Sequence, residues 1–410
     1  MDIVIGAGVS GLSYSNFTKN DYLILEGDSE IGGYCKSIKQ DGFVWDYSGH
    51  FFHFTDPDIK SYIFERMNKQ KIFDVKKESQ IFYKEDYIDF PFQKNIHQLS
   101  KSEMEECLEG LYNRSNHKIT NFKEMLLSKF GTGICEKFLI PYNEKLYACD
   151  LNDLDEDAMG RFFPHANLKE ILQNAKNPDN SSYNSNFLYP EGGAIEYIYA
   201  LAKDIQKNKI LLNEKVISID IKKQTVETNT GKTYRYDNLI NTMPLNKFLQ
   251  LLKLDDNIQS YSSNKVMVFN LGFDLPATTS NHWIYYPSKD YIFYRVGCYS
   301  NIFNSNRMSL YVEIGTTSNA QVPDESSLLE RVINDLKKVG IVTNQKLISK
   351  NFLIMNPAYV HVNKDSEQDK KNKIRFLNDK NIYSIGRYGA WKYCSIQDNI
   401  IESRELASHI

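Results

Sequence analysis

The chain has 410 residues, of which 41% are hydrophobic and 25% charged, with a formal net charge of -3. This is the composition of an ordinary globular protein of two or three domains, at roughly 100–200 residues each. It offers no basic face for nucleic acid, and no apolar run approaches the ~18 residues needed to span a bilayer.

The opening Met1-Asp2-Ile3-Val4-Ile5 lacks the basic n-region of a signal peptide, so a cytoplasmic protein is expected. The six cysteines (Cys35, Cys107, Cys135, Cys149, Cys298, Cys394) contain no CxxC pair, and the eight histidines contain no HxxxH or HExxH pair. Reduced thiols and no metal site are the expectation.

In chain order, Ile3 to Ile5 predicts a short buried strand. A glycine turn, a helix and a second strand from Tyr22 to Leu25 follow, which is a βαβ start. The turn is Gly6-Ala7-Gly8-Val9-Ser10-Gly11. Its glycines permit a tight bend and close backbone approach, and the helix N-terminus then faces a pyrophosphate. Glu26 ends the second strand twenty positions after Gly6, where a carboxylate accepts ribose hydroxyls. Gly6, Gly8, Ser10, Gly11 and Glu26 are therefore expected to bind a dinucleotide. Gly32-Gly33-Tyr34-Cys35 follows at once. NAD binding does not require a paired glycine there, whereas large FAD proteins carry one, so Gly33 and Tyr34 join the expected FAD contacts. Phe43 to His53 reads as a strand entering a glycine turn with two histidines, of which His50 is the candidate to meet the isoalloxazine ring.

Residues 95–185 show helical periodicity, as in Glu103 to Leu111 and Phe122 to Phe130. Alternation returns at Ile210 to Leu212, Val216 to Ile219 and Asn238 to Ile240, with a turn at Thr230-Gly231. Val266 to Phe269, Tyr291 to Val296 and Leu310 to Val312 predict further strands. Ser326 to Val339 predicts a helix, and Ile382 to Ile385 a strand that a glycine turn joins to a last helix. The expected fold class is α/β. A doubly wound, Rossmann-like FAD-binding domain is drawn from 1–75, 187–250 and 351–410. A helical domain spans 95–186, and an antiparallel sheet domain from 76–94 and 251–350 lies across the flavin face.

Several longer blocks stand out: Ser48-Gly49-His50, Phe90-Pro91-Phe92-Gln93-Lys94-Asn95-Ile96, and Gly131-Thr132-Gly133 leading to Pro141-Tyr142-Asn143. Further on come Tyr189-Pro190-Glu191-Gly192-Gly193, Asn241-Thr242-Met243, Phe293-Tyr294-Arg295 and Gly386-Arg387-Tyr388-Gly389-Ala390-Trp391-Lys392-Tyr393. On these the chain resembles, over nearly its whole length, the flavin-dependent UDP-galactopyranose mutases. The eukaryotic type is the nearest match, within the wider amine-oxidase-like FAD superfamily.

The resemblance implies a ring contraction of a nucleotide sugar, pyranose to furanose, without net redox, in the synthesis of surface glycans. Reduced flavin attacks the anomeric carbon through N5, the nucleoside diphosphate leaves, and the sugar recloses through a different hydroxyl. It further implies His50, Arg161 and Arg295 as catalytic residues, the two arginines gripping the departing diphosphate. Phe90, Phe92, Gln93 and Asn143 match the uridine pocket, Asn184 a position near substrate, Tyr285, Tyr359 and Tyr393 phosphate-binding tyrosines, and Tyr147 occupies a further substrate-side position. Val216 matches the residue holding the adenine end, Gly386 and Arg387 residues beside the flavin, and Gln397, Asp398 and Asn399 the helix start at its O2 side.

The chain departs from the family at three positions near nucleotide or sugar: Tyr147 for the usual Trp, Ile302 for a Tyr, and Phe90 for a Tyr. The substrate therefore stays open between UDP-galactopyranose, dTDP-fucopyranose and another nucleotide sugar. Lys77 stands where relatives use an arginine associated with NADPH, so NAD(P)H is one candidate reductant among others. Oligomeric state is not readable from the sequence, a homodimer being one form open to it. A second reading is an amine oxidase or desaturase-type oxidoreductase on the same FAD frame, with an apolar cavity and no need for paired arginines. A third is a flavoprotein scaffold without catalysis.

Overall fold

The computed structural model describes residues 1–114, 118–160, 163, 166–177, 180 and 185–410. Arg161 and Asn184 lie outside the described residues.

Its first sheet is parallel, in the order Ile382–Ser384, Asn238–Asn241, Asp2–Ile5, Tyr22–Leu25, Ile210–Leu211. Numbered along the chain these strands lie 5-4-1-2-3, so the winding reverses beside Asp2–Ile5. Ligands of such sheets bind outside the carboxyl end of the strand at that reversal, which here is Gly6. Both faces are covered, which explains why the strands read as unbroken apolar runs. Val4, Ile24 and Ile240 pack against helices Val9–Phe17, Ile195–Ala202 and Ile396–His409. Ile3, Ile5 and Leu239 pack on the opposite side with Val216, Ile219 and Val226, from the antiparallel sheet Val216–Asp220, Thr225–Thr228, Thr233–Arg235. This is the expected doubly wound α/β unit.

The second sheet has seven strands in the order Leu347–Met355, Asn264–Phe273, Ser309–Thr317, Arg295–Cys298, Trp283–Tyr285, Ser79–Tyr83, Asp86–Asp89. All pairs are antiparallel except Trp283–Tyr285 with Ser79–Tyr83. Alternation sorts Asn264–Phe273 into two faces. Met267, Phe269 and Leu271 meet Leu328, Val332 and Leu336 of helix Glu325–Lys338. Val266 and Val268 join the other core, with the helical segment. That segment comprises Lys101–Tyr112, Phe122–Ile134, a π-helical turn Cys135–Leu139, Ile140–Tyr147 and Leu168–Asn174.

One expected strand is corrected. Tyr291 to Phe293 form no ladder, and the strand begins only at Arg295. The reason is competition for backbone groups: Lys145 Nζ takes the carbonyls of Tyr291 and Phe293, and the Asp335 carboxylate takes the amide of Ile292. Among the described residues no helix is long and apolar enough to cross a membrane.

Candidate functional site

A cavity of about 780 Å3 opens at the switch point and runs between the two sheets to the helical segment. Its near half is made mostly of backbone. Gly6 turns the chain at φ 102°, a conformation that a side chain disfavours. A Cβ on Gly11 would lie 2.0 Å from the Gly6 carbonyl oxygen, so only glycine lets the first helix sit on the turn. Gly8 caps that helix without a side-chain bond and faces Gly33, leaving the helix N-terminus open to the cavity. Glu26 Oε2 accepts from the Ala7 amide at 2.6 Å and Oε1 from Asp28 at 2.9 Å, which fixes the carboxylate on the cavity wall.

The last helix closes this half. Ser10 Oγ donates to Asn399 Oδ1 at 3.1 Å, and the Arg387 amide donates to the same oxygen at 2.8 Å. Ser395 and Asp398 form a reciprocal cap, so Asp398 spends its carboxylate on the Ser395 amide at 2.9 Å and is not on the cavity wall. Gln397 lines the wall, but its side-chain oxygen accepts from the amides of Thr55 and Asp56, bracing a neighbouring loop. The glycine cradle, the fixed carboxylate and two helix N-termini fit an extended dinucleotide with a flavin, and FAD is the cofactor of this site.

His50 sits on the wall with Nδ1 3.3 Å from the Ser48 carbonyl oxygen. Burial, joined by Arg387 and Arg295, pushes its imidazole down to about 4, so it is neutral near pH 7. Arg387 lies over the rings of Tyr393 and Tyr359, at 4.5 and 5.2 Å, and those rings stack on each other at 6.0 Å.

The far half is made of side chains. Arg295 and Glu313 are cross-strand partners joined by two bonds, Nε to Oε2 at 2.5 Å and Nη2 to Oε1 at 2.7 Å. Ser48 Oγ also donates to Glu313. Burial works against the Arg295 charge, yet Glu313 and the surrounding tyrosines hold its pKa well above the ordinary value. Phe90 stacks on Tyr285 at 4.9 Å, and Tyr142 meets Tyr285 edge-on at 5.2 Å. Trp283 Nε1 donates to the Tyr285 hydroxyl at 2.8 Å, and burial pushes that phenol up to about 12. Asn143 donates to the Leu139 carbonyl at 2.6 Å, which leaves its buried Oδ1 without a hydrogen-bond partner on the cavity wall.

The expected residues divide accordingly. Gly6, Gly8, Ser10, Glu26, Gly33, Tyr34, His50, Phe90, Asn143, Tyr285, Arg295, Tyr359, Arg387, Tyr393, Gln397 and Asn399 share the cavity wall. Gly11, Phe92, Gln93, Tyr147, Val216, Gly386 and Asp398 do not. Phe92 stands one layer back, stacked on Phe138 at 5.2 Å, and Tyr147 packs edge-on behind Tyr359 at 5.9 Å. Val216 lies in the core beneath the parallel sheet. Ile302 is likewise core rather than wall.

Sequence reasoning missed Glu313, Tyr311 and Trp283. A signal existed for Glu313: a lone carboxylate inside the apolar run Leu310–Ile314 needs a buried partner. Alternation puts it on the face of Tyr311.

A family model described as flavin-containing amine oxidoreductase matches residues 18–407. A solved structure of reduced UDP-galactopyranose mutase superposes with a TM-score of 0.91 at 24% identity, over 100% of this chain and 93% of that one. Cyclohexylamine oxidase from Brevibacterium oxydans IH-35A superposes at 0.71 with 13% identity, over 99% and 97%. At such identities these likenesses speak for the fold. Among curated proteins, protoporphyrinogen oxidase of Dictyostelium discoideum is 27% identical over 175 residues, which are 40% of this chain and 31% of that protein. With the matched model spanning nearly the whole chain and the cavity built to suit, the protein belongs to the flavin-containing amine oxidoreductase family of enzymes.

Proposed function

We propose that the protein is a reduced-FAD-dependent nucleotide-sugar mutase, an isomerase interconverting pyranose and furanose forms for surface glycan synthesis. UDP-galactopyranose and UDP-galactofuranose are the first candidates, and dTDP-fucopyranose and its furanose the second. The observation that carries this reading is Arg295, a permanently charged group held on the wall of the flavin cavity by a buried carboxylate. An apolar amine needs no such cation, whereas a departing diphosphate does.

When bound, reduced flavin supplies a nucleophilic nitrogen, N5, for the anomeric carbon. The chain's own residues do the rest. Arg295 neutralises the charge that builds on the leaving diphosphate, and its pairing with Glu313 fixes the guanidinium in advance. The Tyr285 hydroxyl, protonated at neutral pH, and those of Tyr359 and Tyr393 donate to phosphate oxygens. Phe90 and Tyr142 stack the base, and Asn143 Oδ1 accepts from its edge. Arg161 is the proposed second diphosphate cation and Asn184 a substrate neighbour. Reduction by NAD(P)H, with Lys77 over the Phe90 ring at 4.5 Å, is part of the same proposal.

The deciding assay is anaerobic turnover of UDP- and dTDP-linked sugars, followed by chromatography. Interconversion only with dithionite-reduced enzyme is expected. The competing reading, an oxidase, draws on the names of the relatives. Oxygen consumption with an apolar amine, and no conversion of any nucleotide sugar, would replace the mutase reading by that one.

A further inference from the structure

Lys145 has an environment that the chemistry above does not use. It lies on helix Ile140–Tyr147, three residues beyond Tyr142 and two beyond Asn143, but it points away from the cavity wall they form. Its Nζ donates to four backbone carbonyls of one loop: Tyr286 at 2.8 Å, Ser288 at 2.7 Å, Tyr291 at 2.9 Å and Phe293 at 2.6 Å. An ammonium has three N–H bonds, so four oxygens at this range form a cage of the kind that replaces a cation's hydration shell. Burial pushes the amine down to about 7 against the nearby carboxylates of Asp335 and Asp290, and carbonyl dipoles pointed at Nζ favour the ammonium.

The loop so held, 286–294, joins Tyr285 to Arg295, which are directly paired across adjacent strands. Its far side is gripped by Asp335, whose Oδ2 accepts from the Ile292 amide at 3.0 Å. The helix end is fixed too. A Cβ on Gly315 would lie 2.2 Å from the Lys145 carbonyl oxygen, so the helix backs directly onto strand Ser309–Thr317, which carries Glu313. A second tie, Lys289 to Glu144 at 3.0 Å, is largely exposed and contributes little.

We propose that Lys145 is a positioning residue that sets the spacing between two walls of the site, Asn143 on the helix and Tyr285–Arg295 on the sheet. The two walls touch the nucleoside and the diphosphate of one ligand, so their separation decides whether both contacts form at once. Naming the ligand a nucleoside diphosphate rests on the mutase reading. The coupling of the walls does not.

The test compares wild-type holoenzyme with K145A and with K145Q, an amide that keeps two donors. UDP binding is followed by calorimetry and by tryptophan fluorescence in a W45F/W391F background, where the remaining Trp283 senses Tyr285 directly through its indole N–H. FAD content and the flavin spectrum serve as the folding control. In K145A, UDP affinity falls by about tenfold or more, because a displacement of an ångström at a positioned group has effects of that order. Km rises by the same factor while kcat stays within about threefold, K145Q falls between, and K289A matches wild type. Ammonium ions, but not choline, restore the K145A affinity by entering the cage. Independently of any nucleotide, amide exchange across 286–294 accelerates in K145A and slows again with ammonium. Unchanged UDP affinity in K145A, or unchanged exchange, overturns the proposal. Failure of the wild type to bind UDP counts instead against the mutase reading, and the exchange experiment then decides on Lys145 alone.

Discussion

The two halves of the cavity recognise their ligands by different means. The cofactor half uses main chain: a glycine turn, two helix N-termini and one carboxylate fixed by backbone amides. The far half, the proposed substrate half, uses long side chains brought from the sheet and the helical segment, each held by another side chain. Backbone recognition depends on what must be absent from a position, and side-chain recognition on what must be present and braced. The first tolerates no added atoms, and the second tolerates no lost partner.

Substitutions can break or sharpen this contrast. The largest effect is expected for R295A, with turnover down by about 10²–10³-fold and stability by about 3–5 kcal/mol, because Glu313 is left buried and unpaired. Anaerobic turnover and urea unfolding measure the two. Replacing both partners, in R295M/E313M, restores stability but not turnover. If turnover returns as well, the guanidinium is structural. Next is G11V, whose side chain meets the Gly6 carbonyl. FAD per purified chain, read from absorbance, drops by at least about tenfold, because the added side chain drives the first helix off the turn.

Y393F keeps the ring under Arg387 and removes only the hydroxyl. Turnover falls by about three- to tenfold, the scale of one hydrogen bond, with FAD content unchanged. A loss of FAD instead would move Tyr393 to the cofactor half.

A last effect, on stability rather than turnover, concerns His50. Its native value of about 4 lies below the ordinary ~6.5. Between the two, the unfolded chain binds a proton that the native apoprotein does not, so stability rises with pH across that window and is lost on acidification. H50Q flattens this slope in urea unfolding of the apoprotein at about pH 4.5 to 7. A slope equal to that of the wild type would assign the effect to other groups.

The same contrast explains what could be read in the sequence. Gly6 to Gly11 and Glu26 form a site within 21 residues, because a βαβ unit closes locally. Helices Lys101–Tyr112 and Phe122–Ile134 were legible by their apolar spacing. Helix Lys364–Asn378 was not, since Leu377 is its single fully buried large apolar residue and its first ten residues are all charged or polar. Arg295 was found only through a family resemblance and its partner Glu313 not at all, because the apolar run around Glu313 marks burial but strand pairing is not written in local spacing. Asp398 and Gln397 were read as flavin contacts from their place at a helix start, but a cap and a neighbouring loop claim their side chains. Tyr291 to Val296 had the composition of a strand, but a lysine almost 150 positions earlier keeps Tyr291 to Phe293 out of it.

The seam between the first helix and the last has a consequence for synthesis on the ribosome. Ser10 and Asn399, which bond across that seam, are 389 residues apart in the chain. The parallel sheet likewise waits for Ile382–Ser384 to complete its edge beside Asn238–Asn241. The glycine turn therefore emerges well ahead of its partner helix, after the intervening sheet and helices have had time to collapse. Such distant pairing slows folding and leaves the early strands uncovered meanwhile. The cofactor half is therefore complete only once Asn399 has emerged and met Ser10.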